Sequence, residues 1–327
     1  MSEMTVVRVR VVRAWCVELN EEVTISQARR EYLSLENPPP GFTFFCNDLA
    51  CRNIPGKVEV SGVNYRVPAE EKEKYRTAHF RARQQHDAAC AWVISNEPVE
   101  KSVDINDDRA QRAARRKLRD LVTVFDPRRS GSPDEGANQC ARAASGRPAS
   151  VAGAPSGSSG RGREGGETRT TDLDRLVDSF LEAKAKLPPS DFRSLHLQIV
   201  GKGRVLLGDY FQQVARMVEF GVSFGGIKQI VPYGYGFSLT FYDKIEGAPI
   251  RLYVPAKRLQ DFRYRRFLKA SVTQVIESKG ALYLRVYCIG RFERAPENKG
   301  WNLIVDDLNH LVLRVMQKGR RDAVAGS

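Results

Sequence analysis

The chain has 327 residues, 42% of them apolar, which suits a protein of two domains with cores of ordinary composition. Its formal net charge is +13 and its pI near 9.6, a balance that points to a polyanionic partner such as nucleic acid and says nothing about fold. No apolar run approaches the roughly 20 residues of a bilayer span and none has signal-peptide form, so a membrane protein is not expected. The expected location is cytoplasmic, where thiols stay reduced and clustered cysteines serve better as metal ligands than as disulfide partners.

In chain order, residues 1–95 read as one unit. Charged and β-branched residues alternate from Met4 to Trp15, the pattern of a strand. After a turn at Asn20-Glu21-Glu22, a short helix capped by Thr24 or Ser26 runs through Ala28 and Tyr32, and Asn37-Pro38-Pro39-Pro40-Gly41 stops it. Phe42 to Phe45 lead to Cys46. Lys57 to Val67 reads as a hairpin turning at Ser61-Gly62, and Arg83 to Val93 as a short helix.

Three of the six cysteines and two of the four histidines lie between Cys46 and Cys90. Cys46 and Cys51 form C-x4-C, and 34 residues later His86 and Cys90 form H-x3-C. Two pairs of sulfur and nitrogen donors suit a tetrahedral Zn²⁺, with four protein ligands and no open position, hence a structural ion. On a helix His86 and Cys90 would share a face, facing a knuckle that carries Cys46 and Cys51, a layout like a treble-clef finger. So small a core needs such a staple. Cys16 and Cys288 read as small buried thiols beside strands, and Cys140 as an exposed residue in a low-complexity tract.

His79 is a fifth candidate ligand. Ala28 in the helix, Phe44-Phe45-Cys46, Cys51 and His79-Phe80-Arg81 together resemble the amino-terminal region of competence CoiA-like proteins, over roughly residues 4–93. That resemblance implies a bacterial setting in DNA processing. Two departures bear on the ligands: the cysteines are C-x4-C rather than C-x2-C, and Ala82 stands where the second histidine of the family's His-Phe-x-His signature would be. Ligation then shifts to His86 and Cys90, or to His79 with one of them; the first is preferred, with His79 packed beside the site.

Residues 96–126 read as a basic helix. Acids (Asp104, Asp107, Asp108) sit near its start, and six basic residues fall within eleven positions, among them Arg112, Arg115 and Arg116. It is either a solvated amphipathic face or a phosphate-contacting one. The 44 residues 127–170, rich in Gly, Ser, Ala, Pro and Arg, read as a disordered linker spanning roughly 35 to 40 Å between two units that need not pack rigidly together.

Residues 171–318 read as a β-rich α+β domain, followed by a tail at 319–327. Thr171 is expected to cap a helix running to Lys186, and Tyr210 to Phe220 and part of Arg258 to Ser271 read as helical. Alternating apolar residues place strands near 195–199, 227–231, 237–242, 250–254, 281–289 and 302–306, an order that suits an OB-like barrel or another small α+β sheet. Arg263, Tyr264, Arg265 and Arg266 interleave cations with an aromatic ring, as single-strand binders require, and Tyr233, Tyr235 and Phe237 alternate with glycines. The competing reading is aromatic core with solvated arginines. His196 and His310, each flanked by leucine, read as packed.

The fold class is therefore α+β, and the function expected is a non-enzymatic nucleic-acid-binding protein with a structural zinc. The alternatives are an interaction adaptor and a divalent-metal nuclease of D…ExK type, a domain associated with CoiA-like proteins, through Asp261, Glu277 and Lys279. Lys279-Gly280 is a turn signal, which argues against the last.

Overall fold

A computed structural model describes residues 8–9, 11–52, 57–68, 78–90, 92–94, 118, 121–129, 169–296 and 299–317. Its amino-terminal part comprises β1 (Arg8–Val9), β2 (Arg13–Cys16), β3 (Glu21–Thr24), α1 (Ile25–Ser34), β4 (Phe44–Cys46), the single turn α2 (Leu49–Arg52), β5 (Glu59–Val63), β6 (His79–Ala82) and β7 (Val93–Ile94). Strands β3-β2-β4-β5-β6 form an antiparallel sheet, and β1 pairs with β7. Thr24 caps α1 in a reciprocal box with Gln27, as its position in the sequence suggests. Tyr32, Phe42, Phe44, Tyr65 and Phe80 pack mainly edge-to-face beneath the sheet, supplying most of a small core.

Two local expectations fail here. Ser61-Gly62 is not a turn but lies inside β5, whose partner is β6, not residues up to Val67. A Cβ at Gly62 would stand 2.6 Å from the Phe44 ring and 2.8 Å from that of Tyr65, so this glycine admits the aromatic cluster rather than bending the chain. Residues 83–92 form no helix where they are described; a turn follows β6 and leads to β7.

The second part comprises β8 (Val124–Phe125), β9 (Arg169–Thr170), α3 (Leu173–Lys186), α4 (Pro189–Arg193), β10 (His196–Ile199), β11 (Gly203–Leu206), α5 (Leu207–Tyr210), β12 (Phe211–Gln213), β13 (Val222–Tyr233), β14 (Gly236–Ile245), β15 (Ala248–Val254), α6 (Ala256–Gln260), α7 (Arg265–Glu277), β16 (Leu282–Cys288), β17 (Arg291–Arg294), β18 (Trp301–Ile304) and β19 (Leu311–Gln317). Val124–Phe125 is strand where the sequence predicts helix, because Phe125 fills a core with α3. Pro127–Arg129 is a 3₁₀ turn, and β8 pairs in parallel with β9, so the ends of the expected linker lie side by side; the rest of it lies outside the described residues. Asp172, one residue past the expected Thr171, caps α3. The helix expected over Tyr210–Phe220 is instead the end of α5, then β12 and a 3₁₀ turn at Val214–Arg216.

The large sheet runs β17-β18-β15-β14-β13-β16-β19, with β12 alongside the start of β13. Of the two orders the strand pattern allows, an OB-like barrel or another α+β sheet, this mixed eight-stranded order is of the second kind. Side-chain alternation gives it two faces. Phe237, Leu239, Ile250, Leu252, Leu284 and Val286 pack with Leu259 of α6 and Leu268 and Val272 of α7. On the opposite face Tyr287 and Val312 pack with Leu173, Leu176 and Phe180 of α3. Among the described residues no helix is long and apolar enough to cross a membrane.

The two parts, which the linker does not oblige to pack together, are joined by buried charge. On α1, Arg29 Nη1 lies 3.3 Å from Asp178 Oδ2 and Arg30 Nη2 lies 2.9 Å from Asp172 Oδ2, both acids being on or capping α3. Arg314 of β19 pairs with Asp174, and also with Asp178 at 3.1 Å. Arg30 additionally lies 4.4 Å over the ring of Tyr264. Burial works against a charged Arg30, yet Asp172 and Asp174 hold its guanidinium above its usual pKa.

Candidate metal centre

Alternation along β4 sends Phe44 and Cys46 into the core and leaves Phe45 on the other face, where Lys57 Nζ lies 5.5 Å from its ring. The chain then turns through Asn47-Asp48, with Asp48 Oδ1 accepting the Ala50 amide at 2.9 Å, and one helical turn lifts Cys51 back toward Cys46. The second ligand pair uses the same device. Asp87 Oδ1 accepts the Ala89 amide at 2.7 Å and its carbonyl accepts the Cys90 amide at 2.9 Å, folding Cys90 under His86. The two turns are tied by Trp92 Nε1 donating to Asn47 Oδ1 at 3.0 Å.

The outcome is one buried group: Cys46, Cys51, His86 and Cys90, whose donor atoms all lie within 4.8 Å of one another. Cys46 Sγ and Cys90 Sγ are 3.8 Å apart, and His86 Nδ1 is 3.5 Å from Cys51 Sγ and 3.4 Å from Cys90 Sγ. A tetrahedron with Zn–S near 2.3 Å and Zn–N near 2.0 Å has edges of about 3.8 Å between sulfurs and about 3.5 Å between sulfur and nitrogen. These separations match. They exceed by far the roughly 2.05 Å of a disulfide, and all three cysteines are free thiols.

Electrostatics favour a cation here. Burial pushes the Cys90 thiol up to about 11 and Cys46 higher still, so without a positive charge the sulfurs resist ionisation. The backbone is nevertheless built for thiolates: the amide of Asp48 points at Cys46 Sγ and that of Trp92 at Cys90 Sγ, each two residues on. Burial also pulls His86 below its ordinary pKa, which keeps the imidazole neutral with a lone pair to give. Its Nδ1 faces the sulfurs, while Nε2 is buried with no hydrogen-bond partner. Such a donor set and its closed geometry fit a metal ion.

The ligand spacing was legible, but its carrier was not a helix: an Asx turn does what a helical i, i+4 pair was expected to do. His79 sits on β6 opposite Val63 and is not one of the four clustered residues. Cys16 and Cys288 are buried beside their strands as expected, each thiol pushed up to about 12 by burial.

The residues expected to touch nucleic acid fare differently. Arg112, Arg115 and Arg116 lie outside the described residues. Arg263 pairs with Glu21 and Glu31, and Arg266 with Glu36 at 2.8 Å, so acids of the amino-terminal part offset these cations, which stay about half exposed. Tyr264 is buried, with Arg30 and Arg263 over its ring, and has no free face for a base. Arg265 is exposed as well, donating to the Gln260 carbonyl rather than to an acid. The competing reading, aromatic core with solvated arginines, describes this segment better: Tyr264 is buried and the arginines are exposed. What the sequence concealed is that the offsetting acids come more than two hundred residues earlier in the chain.

The D…ExK residues do not meet. Asp261 precedes α7 and Glu277 ends it, so a helix of 13 residues, about 18 Å from its first to its last residue, stands between them. Lys279 is exposed on the turn into β16, with φ +48°. No family model, curated protein or solved structure matches the chain.

Proposed function

We propose that this chain is a non-enzymatic nucleic-acid-binding protein whose amino-terminal module is organised by one structural Zn²⁺. The observation that carries the reading is the closed tetrahedral set of Cys46, Cys51, His86 and Cys90. Four protein donors complete the coordination of zinc, leaving no position for a substrate or an activated water, so the ion holds structure and performs no chemistry. A knuckle pair, a strand pair and a second ligand pair follow in the order of a treble-clef finger, with a turn at Asp87–Cys90 in place of its helix. The net charge of +13 supplies the attraction for a polyanion. The resemblance of residues 4–93 to CoiA-like proteins favours DNA, in a bacterial cytoplasm.

The experiment is a mobility-shift titration of the full chain at two ionic strengths. Because cationic contacts release condensed counterions, affinity should drop more than ten-fold between roughly 50 and 200 mM salt. Binding that ignores salt, or no binding at all, would overturn the nucleic-acid reading and leave an adaptor for other proteins in its place.

A further inference from the structure

One face of the large sheet is left open by the fold. Around Tyr287, Val312 and Arg314 that face is covered by α3, but further along β13, β14 and β15 the same side meets solvent. The registers place its residues in rows. Val231 stands opposite Ser238 and Ser238 opposite Tyr253; in the next row Gln229 faces Thr240 and Thr240 faces Arg251. Tyr233 closes β13 at the hairpin tip, where Gly234 takes φ +57°, and its ring meets that of Tyr253 edge-on at 6.2 Å. Tyr233 is 54% exposed, Tyr253 57% and Tyr242 51%.

Three half-exposed tyrosines on one sheet face have no core to fill, since the alternate positions already supply it. The charges nearby have one sign. Lys228, at the bulge of β13, and Arg251 are exposed, and among the described residues neither enters an ion pair, while the one carboxylate within these strands from Lys228 to Tyr253, Asp243, lies by Gly225 beside the core residues Phe241 and Val214. Flat rings flanked by unengaged cations are what unpaired bases and their phosphates require.

We propose that this face binds single-stranded nucleic acid, with bases stacked on Tyr233 and Tyr253 and the backbone held by Lys228 and Arg251. The inference rests on the nucleic-acid reading above and moves the contact surface from Arg263–Arg266, where amino-terminal acids offset Arg263 and Arg266 and Tyr264 is buried, to the open tyrosine face.

The test is fluorescence anisotropy of the full-length, metal-loaded protein with labelled oligothymidylate, oligouridylate and a duplex of equal length. The unmodified chain should bind a single strand more tightly than duplex, and either sugar satisfies the inference. Stacking on one ring is worth enough that Tyr253→Ala should weaken single-strand binding roughly ten-fold, and Tyr233→Ala with Tyr253→Ala more, whereas Tyr253→Phe keeps the ring and the affinity. Both positions are solvent-exposed, and unchanged circular dichroism would confirm that each variant folds. If the double variant binds as tightly as the unmodified chain, with salt dependence intact, the tyrosine face is wrong and the broader reading survives. Absence of binding by the unmodified chain overturns both.

Discussion

Cys90→Ser should empty the metal site and unfold the amino-terminal sheet. The serine hydroxyl cannot serve as a soft ligand, and the ion loses a donor that also closes the second turn through the Trp92 amide. Structural zinc contributes about 10–16 kcal/mol of apparent binding free energy in small fingers, at least as large as the about 5–15 kcal/mol that holds a whole domain folded. The core beneath β2–β6 rests largely on one aromatic cluster and cannot offset such a loss. Zinc content should fall to near zero, with amide exchange in residues 11–52 rising to the rate of unfolded chain. Cys46→Ser should behave alike, and His79→Ala should keep its zinc. Full zinc in Cys90→Ser would show that the ligand set is wrong. Acid should mimic the substitution: the thiols must be ionised to ligate, so protons compete with the metal and affinity falls as pH falls.

Asp178→Asn should cost about 3–5 kcal/mol, because it leaves two buried guanidinium groups short of a countercharge at once. Asp178 is shared by Arg29, 3.3 Å away on α1, and Arg314, 3.1 Å away on β19, with side chains 10% exposed or less. Water cannot replace the lost partner there. Urea denaturation should show the midpoint drop, and the amino-terminal part should loosen from α3 before the large sheet melts. Glu293→Gln is the contrast: its partner Arg291 is 56% exposed, so solvent screens the pair and the urea midpoint should stay unchanged. Equal effects for the two substitutions would mean that the buried network does not join the parts.

Local signals in the sequence were read correctly where a residue acts on its neighbours. The Thr24 cap, the β strands around Leu239, Leu252 and Leu284, and the Cys46–Cys51 and His86–Cys90 spacing all follow from side chains near in the chain. Readings failed where a distant partner decides. Gly62 looks like a turn until Phe44 and Tyr65 occupy the space its missing Cβ leaves. Val124 and Phe125 continue a helical pattern until β9 and β10 offer backbone pairing. Tyr264 and Arg263 resemble a binding strip until Arg30, Glu21 and Glu31 arrive from the amino-terminal part. The open face was legible in principle: Leu252-Tyr253-Val254 and Phe241-Tyr242 alternate buried and exposed apolar residues, and a tyrosine on the solvent side of a strand is a signal in itself.

The most direct check is an elemental count on full-length protein purified without chelator, paired with a thiol titration in native buffer. The account predicts one zinc per chain, with Cys46, Cys51 and Cys90 protected until the metal is stripped. A folded, metal-free chain whose cluster thiols react with reagent at once would contradict it.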